Sequence, residues 1–293
     1  MVGRVHQVGD HKVKSIFSQS KTITNRSFRF YVFLIGMTLT IFNLCFQNLN
    51  AESIQERFSP PNGFQRNRFP NESFATYLQN FPLKPIGSSV LLYDGRTKTN
   101  QVHVAVLDFP LLLDDLIQCA DAVMKLRAEY FYSQKKYNQI QFKISNGMEV
   151  PFSRFVKGER VQVVGNKSQW KKGKYKQGTG RDVFEEYLHF IYSYAGTISL
   201  KSELKKKTIQ NLTPGDVWIE AGSPGHVVIV VDQVTGKGGQ TLFLLAQSYM
   251  PSQEMHILKS QSKYSPWFEL PENQSFQTPE WEFPSKEFYG FVK

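Results

Sequence analysis

Apolar and polar positions alternate along this chain with two periods. Residues 111–132, LLLDDLIQCADAVMKLRAEYFY, carry the helical one. Ala120, Val123, Leu126 and Tyr130 recur at spacings of three and four, with Asp121, Lys125, Arg127 and Glu129 between them. Asp114 or Asp115 is the expected N-cap, which puts Cys119 in the first turn or two. A second helix is expected over residues 182–196, DVFEEYLHFIYSYAG, capped by Asp182 and Gly196, with Phe184, Leu188, Ile191 and Tyr192 on its buried face. A short one, residues 73–81, starts at Ser73 and is stopped by Pro82.

The period of two appears elsewhere. Residues 88–94 and 101–109 read as two strands joined by a turn at Gly95, with His103 on one side of the hairpin. Residues 139–156 read as a strand, a turn at Asn146-Gly147 and a further short segment. Residues 213–234, TPGDVWIEAGSPGHVVIVVDQV, hold two strands around the tight turn Gly222-Ser223-Pro224-Gly225, and His226 opens the second. A third strand over 240–251 ends in Gln247 and Ser248, and 255–260 is expected as an edge strand. Residues 165–181, rich in Gly and Lys, read as a mobile loop. Helices and antiparallel strands in segregated runs define an α+β protein.

The first fifty-one residues change the picture of charge and cysteine. Six bases and one acid precede an apolar run from Tyr31 to Phe46, followed by Leu49-Asn50-Ala51, which ends in a small residue. A basic region, a short apolar run and a small residue at the cut describe an export signal. The run is shorter than the roughly 20 residues of a spanning helix. Export to a periplasmic or secreted location with cleavage after Ala51 is expected, an uncleaved N-terminal anchor being the alternative. Membrane contact is expected only through this segment. Losing six bases and one acid lowers the net charge from +10 to +5. It also removes Cys45, leaving Cys119 alone. A lone thiol in an oxidising compartment is either buried and inert or used. Export also makes nucleic acid an unlikely partner for Lys171, Lys172, Lys174 and Lys176 around Trp170 and Tyr175. A solvated loop is the plain reading of these lysines, and contact with anionic envelope polymers the sharper one.

Candidate chemistry follows from the order of elements. A cysteine nucleophile needs a base in reach and a third polar group to orient that base. A helix N-terminus favours the thiolate of Cys119 through its unpaired N–H groups and dipole. His226 is the candidate base, and Gln247 on the adjacent strand the candidate orienting group, with Ser248 or Asp232 as alternatives. Gln118 or the Cys119 N–H is a candidate for the oxyanion hole, and Ser223 in the turn a further substrate contact. Arg127 is either part of a charged helix face or a clamp for substrate carboxylates. His103 and His189 read as structural. No metal-ligand spacing and no phosphate loop is present, so no metal and no cofactor is expected.

The order helix-Cys, strand-His, strand-polar and the phrase PGDVWIEAGSPGHVVIVVD resemble the papain-like cysteine peptidases, in particular the NlpC-type and CHAP-type enzymes that cut cell-wall peptides. More closely, QCADAVMKLRAEYFYSQ, YAGTISL, GSPGHVVIVVD and LFLLAQSYMPSQEMHILK resemble the bacterial domain of unknown function numbered 4846, from about Phe58 onward. The resemblance implies a papain-like core over residues 111–293, a Cys-bearing helix packed on an antiparallel sheet that carries His, with residues 52–110 an N-terminal elaboration. It implies a peptidase or amidase acting on an envelope peptide or peptidoglycan-like substrate. The sequence departs from the enzymes at Ala120, where a small hydroxyl residue is usual, and at the glutamine in third position. A non-catalytic module that holds envelope polymer in the same groove is the alternative, and an acyl transferase a further one.

Overall fold

The computed structural model describes residues 51–271, 275–284 and 287–292. The expected export signal and Cys45 fall outside them. In chain order the elements are α1 (Ile54–Arg57), β1 (Phe64–Arg66), α2 (Phe74–Gln79), β2 (His103–Val106), α3 (Cys119–Ser133), β3 (Gln141–Lys143), β4 (Glu149–Pro151), α4 (Phe152–Val156), β5 (Glu159–Val164), β6 (Lys167–Lys172), α5 (Arg181–Tyr194), α6 (Thr197–Glu203), β7 (Leu204–Lys207), β8 (Val217–Glu220), β9 (His226–Gly236), β10 (Thr241–Gln247), β11 (His256–Leu258), β12 (Phe276–Gln277), β13 (Glu282–Phe283) and β14 (Phe288–Phe291).

The fold is α+β. Its centre is a sheet in the order β2-β11-β10-β9-β8-β14-β7, with β1 paired to the far end of β9, and the pairings in it are antiparallel. Residues 52–110 therefore enter the same sheet, through β1 and β2. Alternation along β9 splits the core between the two faces. Val227, Ile229 and Val231 share a cluster with Cys119, Val123 and Leu126 of α3. Val228 and Val230 share the other with Trp218, Phe243, Phe276, Phe283 and Phe288. Trp218 anchors that second layer, stacked at 4.4 Å on Phe276 and 4.3 Å from Phe288. Burying each of these aromatic rings contributes about 1.5–3 kcal/mol.

Helix α3 differs from its sequence expectation at its start. Gln118, in extended conformation, is the N-cap in place of Asp114 or Asp115, and the Asp121 carboxylate accepts its N–H at 3.1 Å. The helix ends in a paired closure: Lys135 N–H donates to Tyr132 O and Lys136 N–H to Phe131 O, with Lys135 at φ 57°. The polar positions are buried as well: Asp121 and Lys125 are covered, Lys125 by Pro110 O and the Phe109 ring. Helix α2 has the expected Ser73 cap, its Oγ accepting Thr76 N–H at 3.1 Å.

Four further expectations are corrected. Residues 88–94 form isolated bridges around the Gly95 turn, not a strand, and β2 pairs with β11 instead. The expected edge strand at 255–260 is β11, which lies inside the sheet between β10 and β2. Residues 165–172 of the expected mobile loop are the turn and second strand of the β5–β6 hairpin. Its period was hidden because the outward positions Lys167, Gln169 and Lys171 are solvated, while Trp170 packs on Phe155 under the Arg154 guanidinium. Helix α5 is capped by Gly180, not Asp182, and Gly196 caps the next helix, α6.

Candidate functional site

Cys119 opens α3, His226 opens β9 and Gln247 closes β10, and of the three His226 and Gln247 touch. The tight turn of residues 222–225 delivers His226 to the first position of β9, opposite Glu220 of β8. The segment before Cys119 is tied down through Ile117 O, which accepts from Ser252 Oγ at 2.9 Å and lies 3.2 Å from Ser248 Oγ. Cys119 Sγ then sits beside β9, 4.0 Å from Gly225 O.

His226 is fully buried, its ring lying 4.8 Å from Tyr249, 5.2 Å from Trp281 and 5.8 Å from Phe283. Its Nε2 meets Gln247 Oε1 at 2.9 Å, and its Nδ1 is buried without a partner. Gln247 passes the chain on: its Nε2 donates to Glu280 Oε2 at 2.8 Å, and the other Glu280 oxygen takes Lys98 Nζ at 2.5 Å. The neighbouring Trp281 donates its indole N–H to Glu220 Oε2 at 2.9 Å. A second buried imidazole, His256, lies opposite Gln247 in register and shares its Nδ1 proton with Glu254 O at 2.8 Å.

Burial dominates the electrostatics. It pulls His226 down to about 4, against the hydrogen bond to Gln247. It pushes the Cys119 thiol up to about 12, with the charge of Asp121 acting in the same direction. The N–H groups of Val227, Ala120 and Cys119 favour the thiolate but are outweighed. The thiolate expected from the helix N-terminus is thus absent from this conformation: the thiol is 5% exposed and neutral. Asp121 itself is raised to about 7 by burial.

The other candidates are spread more widely. Gln118 stands next to the thiol, but its side-chain amide is turned to Asp115 Oδ1 at 3.3 Å. Ser223 is exposed in the turn, three residues before His226. Arg127 lies two turns along α3, its guanidinium on the rings of Phe74, Phe131 and Phe291, where it lines a cavity of about 650 Å³ with Glu203. Asp232 is at the other end of β9, bound by Arg66 and Gln79. Ser248 holds the chain before Cys119, so Gln247 alone of the three orienting candidates touches His226. His103 Nε2 meets Ser88 O at 2.9 Å, and His189 is half-exposed beside Asp114. Among the described residues, no group of three or more His, Cys, Asp or Glu is placed to hold a metal ion. No helix among them is long and apolar enough to cross a membrane.

Sequence reasoning missed Glu280, Lys98, Trp281 and Tyr249. Glu280 and Trp281 sit in a Pro- and aromatic-rich tail without periodicity, and Lys98 in an irregular segment past the Gly95 turn. Only the closure of contacts 182 residues apart joins them.

The fold and site define a class: an α+β protein on an antiparallel sheet, with a cysteine at a helix start beside a strand-borne His–Gln pair. The chain belongs to the family described as Domain of unknown function (4846), which matches residues 54–289. No curated protein and no solved structure matches it.

Proposed function

We propose that the protein is an exported cysteine hydrolase with a papain-like core, acting on a peptide or amide bond of the cell envelope, cell-wall peptide first. The observation that carries the reading is the polarity of the imidazole. Gln247 occupies His226 Nε2, so the nitrogen left to act as base is the partnerless Nδ1. The cysteine stands at the helix start beside the same stretch of backbone.

In the reaction, the Cys119 thiol gives its proton to His226 Nδ1, and the sulfur attacks the acyl carbon. The C–N bond breaks as His226 returns the proton to the leaving amine. Water, deprotonated by the same nitrogen, then splits the thioester to release the acid and the thiol. The N–H groups of Cys119 and Ala120 lie at the sulfur, where an oxyanion would form. Thiol and imidazole are not hydrogen-bonded to each other in this structure, so the step requires Sγ to approach Nδ1. One observation favours a second reading, a non-catalytic module that holds envelope polymer: the thiol is buried and its acidity suppressed.

The test is the pH dependence of Cys119 alkylation by iodoacetamide in folded protein, beside His226→Ala. Labelling of the folded protein that falls sharply in the variant is the expected result, His226 Nδ1 taking the thiol proton as the alkylating carbon is attacked, and it leads to assays on cell-wall peptides. Labelling only after denaturation refutes the hydrolase in favour of the module.

A further inference from the structure

We propose that Glu280, held by Lys98, is a positioning residue that sets the tautomer of His226 through Gln247. The inference rests on the hydrolase reading only for its catalytic consequence; the positioning itself is a matter of hydrogen-bond polarity. An amide side chain has one accepting and one donating end, and nothing in its shape decides which faces a neighbour. Here the neighbour decides. The Glu280 carboxylate is paired with the Lys98 ammonium at 2.5 Å, and both side chains are 9% exposed. A carboxylate in that pair only accepts, so the Gln247 end that meets it at 2.8 Å is the NH₂. Oε1 is thereby turned to His226, Nε2 of the imidazole carries the proton, and the lone pair is left on Nδ1.

The two oxygens of Glu280 are divided between the partners, Oε1 to Lys98 and Oε2 to Gln247. Replacing one oxygen by NH₂ therefore has a directed consequence. In E280Q the remaining carbonyl is claimed by the Lys98 ammonium, and the new NH₂ faces Gln247. That amide must turn over, presenting its own NH₂ to His226 Nε2, and the proton moves to Nδ1. Removing the ammonium as well, in K98M/E280Q, frees the new carbonyl to accept from Gln247 and restores the original polarity. Simple damage to packing would not be repaired by a second core substitution.

The experiment is two-dimensional ¹⁵N–¹H correlation of the imidazoles in the folded chain at pH 7, with His226 assigned from H226A, run beside alkylation of Cys119. The expected results are the Nε2–H tautomer in the unaltered protein, Nδ1–H in E280Q, and Nε2–H again in K98M/E280Q. Alkylation of Cys119 slows with the change of tautomer by roughly 100-fold, the lower range of a general base's contribution, and recovers in the double variant. An unchanged tautomer in E280Q overturns the proposal. So does Nδ1–H in the unaltered protein, a result that needs no variant to fold. If the tautomer switches as expected while alkylation is indifferent to His226 throughout, the positioning stands and the hydrolase falls.

Discussion

Asp121→Asn isolates the electrostatic cost at the start of α3. Asp121 is 6% exposed; one carboxyl oxygen accepts the Gln118 N–H and the other has no partner. Burial raises it from an ordinary 3.8 to about 7. In the folded state it is therefore protonated up to about pH 7, while in the unfolded chain it ionises near 4. Between those values the unfolded state holds fewer protons, so this group's contribution to stability falls as pH rises, then levels off above 7. A shift of about three units corresponds to about 4 kcal/mol. The asparagine keeps an acceptor for Gln118 and has no charge to lose. Its NH₂ takes the place of the oxygen without a partner, but that cost does not vary with pH. Urea unfolding of both proteins at pH 4.5, 6 and 8.5 reads the difference, in which the titrations of His226, His256 and Glu203 cancel. The variant should gain on the parent by about 3 kcal/mol across that range, most of it between pH 5 and 7. Because the Asp121 charge also raises the Cys119 thiol, alkylation above pH 7 should be faster in the variant. A stability gap that is flat with pH would refute the assignment of a protonated carboxyl beside the thiol.

Two other perturbations test the frame around the site. Gly225→Ala puts a Cβ 2.7 Å from Gly222 N, in the turn that delivers His226, and 2.8 Å from Glu220 O, at the end of β8. A thermal melt should show about 1–3 kcal/mol of destabilisation, with the His226 ring resonances displaced; an unchanged melt and spectrum would contradict the geometry. Arg66→Met removes the ion partner of Asp232, a carboxylate with no exposure at the far end of β9. Breaking such a pair costs about 3–5 kcal/mol. Arg66→Met combined with Asp232→Asn should recover much of it in denaturant titrations, and a loss below about 1 kcal/mol in the single variant would show that Gln79 suffices.

What was legible in the sequence was local. The tight turn between two apolar strands brought out β8, β9 and His226, and the next strand in the same order brought out Gln247, because side-chain direction alternates with a fixed period in each. The amphipathic spacing around Cys119 brought out α3, although its cap was misread: Asp114 and Asp115 have the preferred chemistry, yet the acid that closes the helix start is Asp121, from inside the first turn. The long-range contacts were not legible. Nothing near Lys98 or Glu280 marks them as partners, and the strand paired with β2 lies about 150 residues on, at β11.

The misjudged acidity of Cys119 has the same origin, and magnitudes show why. A helix N-terminus stabilises a nearby anion by typically 0.3–1 kcal/mol, and by up to about 2 in a partly buried site. That was the signal visible in sequence. Against it stands a rise from 9.0 to about 12, burial being its largest cause, or about 4 kcal/mol in favour of the thiol. The residues around the site come from elsewhere: Tyr249 from beyond β10, Trp281 and Phe283 from the tail. Removal of the Trp281 ring from over His226 would act on the desolvation of the imidazole and leave the helix dipole untouched. The same tail residues carry Glu280, so the segment that covers the imidazole also sets the amide behind it.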